Sequence, residues 1–147
     1  MNSLVSMKVV FLVPCLMSFH LAFTQQPLKE YNWKNRLIIL SGEQETEEFS
    51  KQLSAFKSQA DELEERDLLL IQLNKTEGKI GDLELSRSEI EEIKKAYSIP
   101  SENLHLILIG KDGGVKMRKN TFTPPEDFFA LIDTMPMRKA EMRKNDN

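Results

Sequence analysis

The sequence predicts an α/β fold in which a mixed sheet of about four strands is flanked by three helices, in the order β-α-β-α-β-β-α. Three short apolar runs, at residues 36–40, 67–73 and 104–109, are typical of strands buried on both faces of a sheet. Between the first two runs, apolar residues recur every three or four positions, which is the spacing of one face of an amphipathic helix. Such a strand–helix–strand unit is expected to be parallel and right-handed.

The first two helices are predicted from apolar spacing and from capping residues. The first carries its apolar stripe from Phe49 to Leu63, and the glutamates near its start suit the positive end of the helix dipole. The second begins at Ser86 or Ser88, either of which can cap it, and ends at Pro100. Two helices therefore separate the three apolar runs.

The third apolar run leads into a hairpin and a last helix. Residues 111–114 (Lys-Asp-Gly-Gly) form a turn that needs glycine, and residues 115–118 return as the partner strand. A capping box at residues 123–126, with proline in the first turn, begins the third helix, and Pro136 ends it. The polar segment 74–82 is expected to be a loop.

The 147-residue chain is predicted to hold one domain behind an export segment. Residues 1–24 carry one basic residue, Lys8, then an apolar stretch of about 15 residues and small residues, which is the layout of a secretory signal peptide. An uncleaved anchor is the alternative, although the stretch is shorter than the roughly 20 residues that span a bilayer. We expect an irregular lead-in, a domain and a basic flexible tail at residues 25–35, 36–136 and 137–147.

Composition excludes several classes of function. Without residues 1–24 the chain has 19 basic and 23 acidic residues, a net charge of −4, which does not favour nucleic-acid binding. The single cysteine, Cys15, lies in the export segment, so the exported protein would have no thiol. His105, the one histidine of the mature chain, is expected to be a packed, hydrogen-bonded core residue. The sequence indicates no metal, no cofactor, no catalytic residue and no membrane span after signal removal, and it favours a non-enzymatic protein.

Two C-terminal blocks carry a family resemblance. Residues 106–116 (LILIGKDGGVK) and 129–138 (FALIDTMPMR) resemble the uncharacterised thioredoxin-like domain found in exported bacterial proteins and in vertebrate sushi-repeat-containing extracellular proteins. Residues 33–37 and 65–68 resemble the early blocks of the same domain. The resemblance covers nearly the whole mature chain and implies a thioredoxin-related, peroxiredoxin-like fold without an assigned reaction. In the extracellular relatives it implies adhesion or matrix association.

The chain departs from active thioredoxins at both parts of their redox site. Those proteins hold a cysteine pair where the first strand meets the first helix, and a cis-proline directly before the third strand. Here the junction at residues 41–45 reads Ser-Gly-Glu-Gln-Glu, and Asn103 and Leu104 precede the third strand, with Pro100 earlier. These differences argue against thiol redox chemistry.

The strand–helix junction at Ser41, Gly42 and Gln44 is the first candidate site. Ligands of open α/β sheets bind beyond the carboxyl ends of the strands, and a helix start there can bind an anion. The nearby glutamates disfavour an anion, and Ser41 with Gln44 is more simply a capping box. A Ser41 nucleophile would need a base, and the sequence does not place His105 beside it.

A set of basic residues from the hairpin and the end of the last helix is the second candidate. In this fold the two segments can meet and form a patch for an acidic protein or an anionic polymer, with solvated loops as the alternative. The set comprises Lys111, Lys116, Arg118, Lys119, Arg138 and Lys139.

The sequence therefore favours an exported, non-redox binding domain. Two alternatives stay open: an enzyme that uses non-cysteine groups at the junction, and an accessory to a redox partner. Asn74 begins an Asn-Lys-Thr glycosylation sequon, which matters only in a eukaryotic secretory pathway.

Overall fold

A computed structural model describes residues 27–43, 46–100 and 102–145, so the predicted export segment and Gln44 lie outside the described residues. Among the described residues, no helix has the length and apolar character needed to cross a membrane. The strands are β1 Arg36–Ser41, β2 Leu68–Leu73, β3 Gly78–Ile80, β4 Leu83–Glu84, β5 His105–Ile109 and β6 Val115–Lys119. The helices are α1 Glu47–Lys57, α2 Ala60–Glu65, α3 Arg87–Ala96, α4 Pro125–Thr134 and α5 Pro136–Asn145, preceded by a 3₁₀ turn at Lys29–Tyr31.

The six strands form one mixed sheet in the order β4-β3-β2-β1-β5-β6. β1 runs parallel to β2 and antiparallel to β5, and β5 and β6 form an antiparallel hairpin. The four strands β2-β1-β5-β6 and the helices that connect them form the predicted thioredoxin-like α/β core. The fold class is therefore confirmed, with six strands in place of about four.

The central strand β1 separates two apolar layers. Successive side chains of a strand point to opposite faces, so Ile39 packs on one face and Ile38 on the other. On the Ile39 face the cover is α3 with Ile90 and Ile93. On the Ile38 face it is α1 and α4, where the rings of Phe56 and Phe128 lie 5.6 Å apart between centroids. All six residues of β1 are buried because layers lie on both sides.

Of the two strands beyond the predicted four, β3 lies within the segment 74–82 expected to be a loop, and β4 follows directly after it. Residues 78–84 contain the hairpin β3–β4, which extends the sheet at the edge of β2. Ile80 is buried in the layer beneath α3, and Gly81 turns the chain with a φ of +57°. The sequence does not predict this hairpin, because most of the segment is polar. Only three residues of β3 pair with β2, which is too few to show an alternation of apolar and polar side chains.

The first predicted helix is two helices, and its cap differs from the prediction. α1 ends at Lys57, and α2 begins at Ala60. Thr46 is the N-cap of α1, and its hydroxyl accepts a hydrogen bond from the Phe49 N–H at 3.3 Å. Ser41 is the last residue of β1, so the predicted Ser41 cap is wrong.

Of the predicted N-terminal caps of α3 and α4, the first is confirmed and the second is wrong. Ser86 begins α3 in a capping box with Glu89, as expected. α4 has Pro124 as its N-cap and no side-chain cap, so the box expected at residues 123–126 is wrong. Thr123 pairs instead with the buried side chain of Gln52. The Gln52 amide donates to the Thr123 carbonyl and accepts from its N–H, both at 2.8 Å.

The basic tail expected at residues 137–147 is a helix as far as residue 145. Pro136 ends α4, as predicted, because the residue before a proline avoids helical backbone and Met135 is extended at φ −70°, ψ 141°. Proline also suits the first turn of a helix, and Pro136 begins α5. Ion pairs from α5 to the domain, described below, show that this segment is packed.

Candidate functional site

The strand–helix junction is tightly packed at Ser41 and Gly42. Ser41 is 2% exposed, and the Gly42 N–H donates to the Leu73 carbonyl at 3.1 Å. A Cβ added to Gly42 would lie 3.2 Å from the Asn103 carbonyl oxygen and from the Phe49 ring, so glycine allows this approach. Gln44 lies outside the described residues, so the third member of this candidate site cannot be placed.

Ser41 lies directly opposite His105 across the β1–β5 pair, a relationship that the sequence does not reveal. Residues opposite each other in antiparallel strands share a face of the sheet. His105 is half-buried, and its Nε2 lies 3.0 Å from the Glu102 carbonyl oxygen. Within the described part of the chain, no hydrogen bond joins the Ser41 hydroxyl to the His105 ring. The two residues are therefore neighbours without the geometry of a nucleophile and its base.

The six predicted basic residues do not form one exposed patch. Lys111 and Arg138 are buried and are hydrogen-bonded to carboxylates. Lys116 is partly exposed and donates to Asp112 at 2.6 Å. The remaining three are exposed and form no ion pair within the described part of the chain; they are Arg118, Lys119 and Lys139. The structure thus places two of the six residues inside the domain and four at its surface.

The two internal residues, Lys111 and Arg138, belong to a charge cluster of four cations and five carboxylates that α5 covers. Its cations come from β1, the residue that follows α2, the β5–β6 turn and α5. Its carboxylates come from α2, the residue that precedes β2, α4 and α5. We use the name charge cluster for Arg36, Arg66, Lys111 and Arg138 with Glu62, Glu65, Asp67, Asp133 and Glu141.

One part of the charge cluster surrounds Glu141. The Arg36 guanidinium, 1% exposed, donates to both carboxylate oxygens of Glu141 at 3.1 and 3.3 Å and to the Arg66 carbonyl at 2.8 Å. The Lys111 ammonium donates to Glu141 at 2.8 Å and to Asp67 at 2.7 Å. A carboxylate from α5 thus links the first residue of β1 to the residue that follows Gly110.

The other part of the charge cluster surrounds Asp133 of α4. The Arg66 guanidinium donates to both Asp133 oxygens, at 3.1 and 2.7 Å, and lies 4.8 Å from the centre of the Phe129 ring. Arg138 donates to Asp133 at 3.1 Å and to the Glu65 carbonyl at 2.9 Å, and it also pairs with the Glu65 carboxylate. These contacts hold α2, α4 and α5 together.

The charge cluster lowers the pKa of two of its carboxyl groups, those of Glu141 and Asp133. Burial alone would raise the pKa of Glu141, but hydrogen bonds from Lys111 and Arg36 outweigh it and hold the pKa below its ordinary value. Burial also acts to raise the pKa of Asp133, and the hydrogen bonds from Arg66 and Arg138 reverse that effect. With nearly equal numbers of cations and carboxylates, the cluster is neutralised internally and works as a structural element.

A cavity of about 150 Å³ lies beside the charge cluster. Its lining includes Arg36, Lys111 and Lys116 together with the segment 135–137. The cavity lies at the first residue of β1, whereas the strand–helix junction lies at its last residue. At about 3.3 Å per residue the two are roughly 17 Å apart.

Sequence reasoning missed Arg36, Arg66 and Glu141. Only for Arg36 does the sequence contain an indication. This arginine begins an otherwise apolar strand, and an arginine that is buried there needs a partner. Arg36 and Glu141 are 105 positions apart, and no local pattern connects them. From the sequence alone, Glu141 is therefore expected to be a solvent-exposed residue of the flexible tail.

The fold and these sites define an α/β domain of the thioredoxin-like class whose buried charges lie at the end of β1 opposite to the strand–helix junction. The chain belongs to a family described as a domain of unknown function, DUF4174, whose model matches residues 27–141.

The chain spans a quarter or less of the length of two relatives that it matches. Sushi repeat-containing protein SRPX2 of Xenopus laevis is 28% identical over 114 residues, covering 74% of this chain and 25% of that protein. Coiled-coil domain-containing protein 80 of Danio rerio is 29% identical over 133 residues, covering 78% of this chain and 15% of that protein. A solved structure of a thioredoxin-fold protein from Helicobacter pylori is 15% identical with a TM-score of 0.45, covering 80% of this chain and 81% of that one.

Proposed function

We propose that this chain is a non-redox binding domain that recognises an acidic protein segment through the exposed edge strand β6. The observation that carries the proposal is that β6 is an exposed edge strand with two cations that no described residue engages. β6 is the last strand of the sheet, and four of its five residues are exposed. Two of them, Arg118 and Lys119, have cationic groups that are not engaged by the described residues.

The absence of a thiol supports the non-redox part of the proposal. Thiol–disulfide exchange requires a thiolate nucleophile, and the only cysteine of the chain is Cys15, in the predicted export segment. At the junction where active thioredoxins hold their cysteines, this chain has Ser41, which is buried, and Gly42, whose backbone lies close to Asn103 and Phe49. We therefore assign the binding role to a different part of the domain.

An extended acidic peptide suits β6 better than other polyanions. The outer edge of a terminal strand presents main-chain N–H and C=O groups that can pair with an added strand. Arg118 and Lys119 are consecutive, so they point to opposite faces of the sheet and can meet carboxylates on both faces of that strand. An anionic polysaccharide would satisfy the charges and leave the main-chain groups unpaired.

The same charges protect the edge from pairing with a second copy of the chain. Cations on an edge strand repel an identical edge and so disfavour aggregation. This protective role is the simplest alternative explanation of Arg118 and Lys119. It predicts no preference for an acidic partner, which makes the two explanations separable.

The test is binding of an immobilised peptide with alternating Glu and Thr to the purified protein, compared with a matching Lys and Thr peptide. We expect the acidic peptide alone to bind, with affinity that falls as salt rises. The double variant Arg118→Glu/Lys119→Glu should weaken binding about tenfold or more. The control Lys75→Glu/Lys95→Glu makes the same change in net charge at two exposed positions away from β6 and should bind like the parent.

Two results would contradict the proposal. Equal loss in the control variant would mean that net charge, and no particular surface, attracts the peptide. Binding of a sulfated polysaccharide without binding of the acidic peptide would show that the partner class is wrong.

The alternative of an enzyme at the junction receives one supporting observation, the pairing of Ser41 with His105. Two others weigh against it, since Ser41 is buried and the His105 Nε2 lies within hydrogen-bonding distance of the Glu102 carbonyl. Labelling by a serine-reactive fluorophosphonate, lost in Ser41→Ala, would favour the enzyme over the binding domain.

We also propose that the protein is exported, because residues 1–24 have the layout of a signal peptide. Expression of the full chain followed by N-terminal sequencing of the secreted fraction tests this. A start near Gln25 supports cleavage, and a product retained with Met1 or Met7 in a membrane fraction supports the anchor instead.

A further inference from the structure

The cavity between the β5–β6 turn and the start of α5 is lined by both hydrogen-bond donors and apolar groups. Arg36, Lys111 and Lys116 supply three cations, and Asp112 supplies the one carboxylate among the lining residues. Met135, Pro136 and Met137 supply the apolar part of the lining. The lining therefore suits a molecule that has one anionic end and one apolar end.

Two of the lining cations, Arg36 and Lys116, have N–H groups that can donate further hydrogen bonds. The Arg36 Nε–H is buried and has no acceptor within the described part of the chain, although the two Nη atoms of the same guanidinium are paired. A buried unpaired donor on a cation is costly, and an acceptor placed beside it is correspondingly stabilising. Lys116 donates to Asp112 and has further N–H groups to offer.

The backbone at Gly110 lies very close to the side chains of Lys116 and Asp112. A Cβ on Gly110 would lie 2.5 Å from Cε of Lys116 and 2.7 Å from an oxygen of Asp112. Glycine at this position therefore allows the Lys116 chain to lie across the turn at the cavity wall. Alanine would push Lys116 away from this position without a strained backbone, since Gly110 does not have a positive φ.

We propose that this cavity binds a small monocarboxylate. Its carboxylate accepts hydrogen bonds from Arg36 and Lys116, and its apolar part packs on Met135 and Met137. The volume of about 150 Å³ is that of a site for a benzene-sized group. The wall of methionine side chains is adaptable in shape and favours apolar groups over a second charged group.

Benzoate, benzamide and inorganic phosphate are the probes, titrated into the ¹⁵N-labelled protein while the backbone amide resonances are followed. We expect benzoate to bind with a Kd of about 1 mM and to shift the resonances of Gly110, Lys111 and Met137. Benzamide lacks the charge and should shift them by much less at equal concentration. Phosphate lacks the apolar part and should bind about tenfold more weakly or not at all.

Two variants and one control locate the site. Lys116→Gln removes a cationic donor and should weaken benzoate about tenfold, and Gly110→Ala should weaken it by displacing Lys116. Lys95→Gln makes the same chemical change at an exposed position of α3, outside the cavity lining, and should leave the affinity unchanged. Unshifted resonances elsewhere in each variant show that the fold is kept.

Three results would overturn the proposal. Equal shifts with benzoate and benzamide would show that the charge is not recognised. Phosphate binding as tightly as benzoate would show that the apolar wall takes no part. An equal loss in Lys95→Gln, or shifts confined to resonances distant from Gly110, would show that benzoate binds at a different place.

Discussion

Arg36 and Glu141 stand 105 positions apart in the chain and are joined by two hydrogen bonds, at 3.1 and 3.3 Å, between a fully buried guanidinium and a carboxylate of the last helix. The pair lies at the first residue of the central strand. It attaches α5 to the sheet through charge, and Lys111 contributes a third hydrogen bond to the same carboxylate. A helix that is polar by composition is thus held in place by buried partners.

Removing the Glu141 carboxylate is expected to destabilise the protein by about 2–3 kcal/mol. The variant Glu141→Gln leaves Arg36 buried with a weaker partner, and breaking one side of a buried pair costs more than the pair itself contributes. We place the value below the fully buried range because a quarter of the Glu141 side chain is exposed. Urea unfolding measures the difference. The exposed Arg87–Glu91 pair provides the control, and Glu91→Gln should cost less than about 0.5 kcal/mol.

Stability is expected to fall in acid because of Glu141 and Asp133. Both carboxyls have a folded-state pKa below the ordinary value, so the unfolded chain binds more protons than the native state as pH falls. Their contribution is complete above the ordinary values of 4.5 and 3.8 and is lost as pH falls through the lower folded values. Urea midpoints measured from about pH 7 to pH 3 should show this decrease. Glu141→Gln should flatten it in part, and an unchanged slope would show that Glu141 does not contribute.

The sequence predicts the central strands well and the polar contacts poorly, for a physical reason. Burial on both faces makes β1, β2 and β5 continuous apolar runs, and a run of this kind is visible in a single sequence. The partners of Arg36 and Lys111 depend on where α5 packs, which no local spacing encodes. Because a basic segment after Pro136 is also typical of a solvated tail, the same pattern supported the wrong interpretation. The Ser41–His105 pairing depends on the register of β1 with β5, which a single sequence does not reveal.

The pairing of Gln52 with Thr123 is expected to stabilise the start of α4. Gln52 is fully buried on α1, and its amide satisfies both the N–H and the carbonyl of Thr123. Gln52→Leu has a similar size and leaves both main-chain groups without partners, which should cost about 1–3 kcal/mol. Thermal unfolding measures the loss, and hydrogen exchange at the Thr123 amide should quicken. Exchange that stays as slow as in the parent protein would show that another group satisfies this amide.

Deleting α5 is expected to destabilise the domain more than the single change at Glu141. A chain that ends at Met135 loses both Glu141 and Arg138, so Arg36, Lys111 and Asp133 lose ionic partners together. Buried charges without partners cost several kcal/mol, and we expect a loss of about 4 kcal/mol or more in urea unfolding. A chain that ends at residue 145 keeps all of these contacts and serves as the control. If the two truncated proteins unfold at the same urea concentration, residues 136–145 are a dispensable tail, as the sequence alone suggested.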